Sequence, residues 1–300
     1  MAGFNAPDVL VLGGGGILGE AWMLAVLVGL REAAAFDARD CDAFVGISAG
    51  SIVAAALVAG ADPRTRLGEL PEQPAVDDAR GPVDSYTPAR ILQLATAVGR
   101  AAAAPLAALG LRAAEPGGAL LRRVVLARVP DGRREHGNLG ERLELAGAHW
   151  DGRLAVAAVD RDTGRRVMFG TPGAPGASVG AAVEASCAIP AVFRAVEIDG
   201  RRYVDGGVWS PTNMDAAPAG RGTRVLCLNP TGALRPPLGA LSRTFAEVEL
   251  LALERRGAAV RTVVPDRGSV AAMGANLMDP GPRAAVIVAG LAQGRILAHS

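Results

Sequence analysis

No lysine occurs anywhere in the 300 residues, so all 31 basic side chains are Arg. Against 30 acids this leaves a formal net charge of 31 − 30 = +1. Such a balance provides no overall field to steer the chain to nucleic acid. Aromatics are scarce as well, at 4%, which leaves few platforms for base stacking; nucleic acid is not an expected partner. Only three cysteines are present, Cys41, Cys187 and Cys227. An odd number without metal-type spacing argues against a disulfide framework and a cysteine metal site, and for reduced thiols in a cytoplasmic compartment. No metal or cofactor is expected. Met1 to Asp8 has no basic segment leading into an apolar stretch, so no secretory signal is expected. Long apolar runs are rare too. The uncharged run 43–61 reaches spanning length but is interrupted by Gly46, Ser48, Gly50 and Ser51, which suits a buried strand, a sharp turn and a buried helix better than a membrane span. What is abundant is apolar surface, 50% of residues against 20% charged, a globular composition. The expectation is one domain over residues 1–300.

Val9-Leu10-Val11-Leu12 is a short continuous apolar run, the pattern of a strand buried on both faces of a parallel sheet. It enters Gly13 to Gly19, read as irregular backbone because glycine loses most entropy on ordering. A helix is predicted over Glu20 to Ala35, with Glu20 as an acid in its first turn. A second buried strand is expected over Asp42 to Ile47 and a helix over Ser51 to Ala61, stopped by Asp62-Pro63. Strand, glycine loop, helix, strand, turn, helix is the grammar of an α/β sheet flanked by helices, a three-layer α/β/α arrangement with mainly parallel strands. The chain then turns polar and proline-rich to Ser85 and reads as an exposed connection.

Thr87-Pro88 suits a helix start, and Pro105 and Pro116 divide the next stretch into short helices. Between Arg112 and Arg142, seven Arg face four acids, a local 7 − 4 = +3. Asn138 with Glu141 resembles a capping box. This helical segment, about 88–147, is either a cap beside the site or a layer covering the sheet. Hairpins are predicted for Leu154–Val159 with Arg166–Phe169, and for Val196–Ile198 with Arg201–Val204 around Asp199-Gly200. Ser178 to Ala188, Glu247 to Arg256 and Arg283 to Ala298 read as helices, and Val225–Leu228 and Val260–Val264 as strands.

The residues able to carry chemistry are few. Gly46-Ile47-Ser48-Ala49-Gly50 is a G-x-S-x-G element between a buried strand and a helix, where small neighbours expose a serine hydroxyl on a strained turn. The Ala49 N–H would then stand at a helix N-terminus, able to stabilise an oxyanion. The glycine loop fails as a Walker A loop, because Glu20 stands where lysine is needed. As a dinucleotide fingerprint it matches Gly14-x-Gly16-x-x-Gly19, but no acid closes the second strand. Its third reading, preferred here, is a row of N–H donors facing Ser48. A base is needed to activate serine. His136, His149 and His299 read as surface or packing residues, although a Ser-Asp-His order could use His299. Asp205, in Asp205-Gly206-Gly207 at the end of a predicted strand, is the better candidate, although the triplet by itself reads first as an Asx-type turn.

Four blocks in order resemble the patatin-like phospholipase family: the loop Gly14-Gly15-Gly16-Ile17-Leu18-Gly19, the elbow Gly46 to Gly50, the segment Ala185-Ser186-Cys187-Ala188-Ile189-Pro190-Ala191-Val192-Phe193, and Asp205-Gly206-Gly207. Together they cover about residues 9 to 215. The resemblance implies a patatin-like fold and a Ser48–Asp205 dyad without histidine. It further implies an oxyanion hole from the N–H groups of Gly14, Gly15 and Gly16, and an acyl-enzyme intermediate formed from a lipid ester. Burial of Asp205 should raise its pKa enough to make it a useful base. One position departs from the pattern: the family's G-G-G-x-R-G carries Arg where this chain has Leu18. That weakens a phospholipid assignment more than an esterase one, unless Arg201, Arg202 or Arg122-Arg123 compensates. The basic segment and apolar helices are compatible with peripheral contact to anionic lipid. The competing readings are a nucleotide-dependent oxidoreductase built on the Gly14–Gly19 loop, a non-catalytic lipid-binding module, and acyl transfer to an acceptor other than water.

Overall fold

The computed structural model describes residues 4–68, 115–236 and 238–299. Among these, eight strands form one sheet. Strands β1 (Val9–Leu12), β2 (Ala43–Gly46), β3 (Leu154–Asp160), β7 (Arg224–Leu228) and β8 (Ala259–Val263) make its parallel part, in the order β3-β2-β1-β7-β8. Beyond β3 the sheet turns antiparallel, through β4 (Arg166–Phe169) and the hairpin of β5 (Val196–Ile198) and β6 (Arg201–Asp205). Both predicted hairpins and every predicted strand are present.

The all-apolar run of β1 is explained by its two buried faces. Leu10 and Leu12 point into one core with Phe44, Val156 and helices α1 (Gly16–Ala34), α2 (Ala49–Val58), α6 (Val179–Cys187) and α9 (Arg283–Leu297). Val9 and Val11 point into the other with Val45, Ala157, Cys227 and α7 (Leu238–Arg255). The result is three layers, with the sheet between helices. Each buried large aliphatic side chain contributes about 1.5–3 kcal/mol, so the alternation along one four-residue strand anchors both cores.

The 43–61 run divides as expected into β2, a turn and α2. Several boundaries fall elsewhere. The glycine segment is not irregular throughout: α1 begins at Gly16, so half of the loop is the helix's first turn. Glu20 therefore lies beyond that turn and instead pairs with Arg66 at 2.7 Å. Asp62-Pro63 begins a helix as well as following one. Asp62 accepts the Arg64 N–H at the head of α3 (Pro63–Leu67), with Pro63 in the first turn where its missing N–H is harmless. Pro116 sits likewise in the first turn of α4 (Glu115–Arg128) and does not divide it. Asn138 heads α5 (Leu139–Leu145) without a side-chain cap; the Gly140 N–H donates to Glu184 of α6 instead. Helix α7 starts at Leu238, nine residues before the predicted Glu247. The part of the helical segment from 88 to 114 lies outside the described residues. Of the remainder, α5 packs on α6, and α4 sends Arg122 to the Gly164 carbonyl of the β3–β4 turn. A further helix, α8 (Arg267–Met273), precedes α9. All three cysteines are free and buried. Among the described residues no helix is long and apolar enough to cross a membrane.

Candidate active site

The register of β3 brings two distant parts of the chain together. Gly46, the last residue of β2, lies opposite Val156, and Asp205, the last residue of β6, lies opposite Ala158. Two residues beyond Gly46, Ser48 occupies the turn into α2 with φ 50° and ψ −123°. A non-glycine residue with positive φ is strained by about 1–3 kcal/mol, and such strain persists only where surrounding contacts hold it. Here they do. The Ser48 N–H donates to Ser186 Oγ at 2.9 Å, and its carbonyl accepts both the Ser51 hydroxyl at 2.6 Å and the Ser51 N–H at 2.8 Å. Gly50 cannot be another residue, because a Cβ there would overlap the Leu12 carbonyl of β1. The turn is thus pressed against the sheet, and Ser48 is only 8% exposed.

Asp205 is 6% exposed. Burial disfavours its charged form and pushes its pKa up to about 6; a hydrogen bond from the Gly207 N–H and one with the Ser48 side chain pull it partly back. The Gly207 N–H donates to Asp205 Oδ1 at 2.7 Å, an Asx-type turn that fixes the carboxylate. The Asp205 N–H donates to the Ala188 carbonyl at 3.0 Å, just past the end of α6. Burial also pushes the neighbouring Cys187 thiol up, and the Asp205 charge adds to that, so Cys187 stays neutral beside Ser51.

The glycine loop lies alongside. A Cβ at Gly14 would stand 3.6 Å from the Ser48 Cβ. Yet the Gly14 N–H already donates to the Pro211 carbonyl at 3.0 Å. Of the four amides expected to receive an oxyanion, Gly14 is therefore occupied, by a residue far along the chain that the sequence gives no reason to place there. The N–H groups of Gly15, Gly16 and Ala49 donate to nothing among the described residues. Gly16 has φ +59°, and a Cβ on it would meet Met278 Sδ at 2.5 Å, so the start of α1 requires glycine. Leu18 is fully buried in the core, and its N–H donates to the Leu277 carbonyl. The place of the expected Arg is apolar interior. Of the other arginines, Arg201 and Arg202 pair with Asp160 and Asp162, Arg122 lies over the Trp209 ring, and Arg123 is exposed.

The contacts of the histidines are with residues other than Ser48 and Asp205. His136 stacks on Phe193 at 4.2 Å between ring centroids, His149 is exposed beside the Gly147 carbonyl, and His299 is exposed at the end of the chain. Sequence reasoning missed Ser186, Ser51 and Ala188 as supports of the site. The segment from Ala185 to Phe193 stands out as a motif, but nothing in it reveals which group each residue would meet.

A serine on a strand-to-helix elbow above a mainly parallel sheet is the way α/β hydrolases present a nucleophile. A family model described as patatin-like phospholipase matches residues 10–218, and the chain belongs to that family. No curated protein matches the chain. Among solved structures, VipD from Legionella pneumophila aligns with 99% of this chain and 67% of its own, at 14% identity and a TM-score of 0.46. The type III effector protein ExoU aligns with 99% of this chain and 54% of its own, at 17% identity and a TM-score of 0.38. ExoU in its heterodimeric complex with SpcU, from Pseudomonas aeruginosa, aligns with 99% of this chain and 53% of its own, at 19% identity and a TM-score of 0.37. The chain thus spans little more than half of the ExoU chains.

Proposed function

We propose that the chain hydrolyses acyl esters of lipids with Ser48 as nucleophile and Asp205 as its base. The observation that carries this reading is the buried Asp205 carboxylate, its pKa raised to about 6, facing a serine held in a strained turn. Ser48 Oγ attacks the ester carbonyl as its proton passes to Asp205 Oδ2. The carbonyl oxygen takes up the negative charge beside the N–H groups of Gly15, Gly16 and Ala49. The carbon–oxygen bond to the alcohol breaks, and Asp205 returns the proton to that leaving oxygen. Water then attacks the acyl-enzyme, giving its proton to Asp205, and Ser48 recovers it as the free acid departs. An oxyanion donor of this kind is worth about 10²–10³ in kcat. No histidine is needed, because a carboxylate with a pKa near 6 is matched to work near neutrality.

Family membership supports a lipid ester as substrate, and the buried Leu18 favours recognition through the acyl chain over a phosphate. A charged hydrogen bond is worth about 1.5–3 kcal/mol, or roughly 10–100-fold. Without one in the glycine loop, kcat/KM for neutral medium-chain esters should equal or exceed that for a phospholipid or lysophospholipid of the same chain. A chain-length series of the three classes checks this; a hundredfold phospholipid preference would place an anion site elsewhere, and no ester turnover at all would remove the proposal. The pH dependence has a defined sign. The base form is the carboxylate, so kcat/KM should be on its plateau above about pH 6 and fall about tenfold per unit below it. Exposed Leu120, Arg123, Val124 and Arg128 on α4 support peripheral contact with an anionic membrane surface.

A further inference from the structure

We propose that Ser186 is a positioning residue for the dyad, its hydroxyl holding the Ser48 amide in place against the strand that registers Asp205. The inference rests on the Ser48–Asp205 reading and goes one step beyond it. Ser186 is completely buried in the last turn of α6. Its hydroxyl has both roles filled: it accepts the Ser48 N–H at 2.9 Å and donates to the Ala157 carbonyl of β3 at 2.7 Å. Ala157 lies between Val156, which faces Gly46, and Ala158, which faces Asp205. On the same peptide, the Ala157 carbonyl is approached so closely by Gly206 that a Cβ there would overlap it. Two residues after Ser186, the Ala188 carbonyl accepts the Asp205 N–H at 3.0 Å. One turn of chain, 186–188, therefore bonds to the backbone of both dyad members, and sets the span between them.

The φ angle sets the direction of the Ser48 N–H relative to its Cα–Cβ bond, so relaxation to negative φ cannot keep the side chain at its present aim and the N–H on Ser186 together. With Ser186 present, that relaxation leaves a buried N–H and a buried hydroxyl each short of a partner, which is unfavourable. Ser51 holds the carbonyl side of the same residue from within α2, whereas Ser186 ties the Ser48 backbone to a different element, α6, whose Cys187 also meets the Ser48 side chain.

The test is Ser186→Ala with an ester substrate, read as kcat, KM and pH profile together. Loss of the tie should lower kcat about 10–100-fold while KM stays within about twofold, because binding is not what Ser186 touches. The midpoint of the pH profile should also move upward, since the Ser48 hydroxyl that lowers the Asp205 pKa would no longer be held against it. Ser178→Ala provides the structural control. It removes the N-cap of the same helix, where Ser178 accepts the Ala181 N–H, and should leave kcat and midpoint as in the wild type. Ser186→Cys, close in shape but a weak acceptor, should fall between the wild type and Ser186→Ala, and takes over the test if the alanine variant does not fold. Wild-type kcat and midpoint in folded Ser186→Ala, or in Ser186→Cys where that variant carries the test, would overturn the inference. So would an equal kcat loss in Ser178→Ala. If Ser48→Ala itself left ester turnover intact, the dyad reading would fall, and this inference with it; an inactive Ser48→Ala beside a fully active Ser186→Ala would remove the positioning role alone.

Discussion

Replacing Asp205 with Asn should lower kcat by about 10²–10⁴-fold, since a neutral amide cannot take the serine proton, and should at the same time make the protein more stable at pH 8. The two effects have one origin. Buried Asp205 has a folded pKa near 6, whereas an exposed Asp titrates near 3.9. Between these values folded Asp205 binds more protons than unfolded Asp205, so its own contribution to stability is greatest below about pH 4 and declines as pH rises through about 6. The ionised carboxylate then disfavours the fold by at most about 3 kcal/mol. Asn removes that penalty while its carbonyl oxygen still accepts the Gly207 N–H. Thermal unfolding at pH 4 and pH 8 checks this: the gain over wild type should be present at pH 8 and nearly absent at pH 4. Full activity in Asp205→Asn would eliminate the dyad, and an identical stability gain at both pH values would show that charge burial is not its cause.

Ser48→Ala should lower turnover by at least about 10⁴-fold, as loss of a covalent nucleophile does in serine hydrolases, with almost no change in thermal midpoint. Alanine at φ 50° is as strained as serine, and the N–H contact with Ser186 does not depend on the side chain. Ser48→Gly separates strain from chemistry. It should be equally inactive but more stable, by up to about 1–2 kcal/mol, because glycine accepts positive φ without penalty. A glycine variant less stable than the alanine variant would contradict the strained turn.

The parts of this molecule that are legible from sequence share a physical character. Val9–Leu12 and Ala43–Val45 read as doubly buried strands because every residue is apolar, and Gly46 to Gly50 reads as the turn that follows. Asp205 is legible because Asp199-Gly200 fixes a hairpin and so places the carboxylate at a strand end. The failures are tertiary. Gly16 to Gly19 are helical because α1 packs on α9, where Trp22 bonds to Gln293, which outweighs the entropy lost by glycine. The start of α7 follows two prolines and carries few large apolar residues, so its periodicity is clear only from Glu247 onward. The Asn138 side chain makes no cap because Glu184, on a neighbouring helix, supplies the acceptor. Gly14 and Ser186 are the sharpest cases. Whether an amide is free for an oxyanion, or a serine is tied to a nucleophile, depends on Pro211 and Ala157, and no local pattern encodes those meetings.

One hydroxyl and one carboxylate, paired by the register of β3, make up the proposed reactive centre. The rate and position of labelling by a fluorophosphonate, which phosphonylates an activated serine with loss of fluoride, probe that pair without any choice of substrate. A single adduct is expected, on Ser48, forming faster as pH rises through about 6 and much more slowly in Asp205→Asn. An adduct on another serine, or Ser48 labelled at the wild-type rate without the Asp205 carboxylate, would refute the dyad.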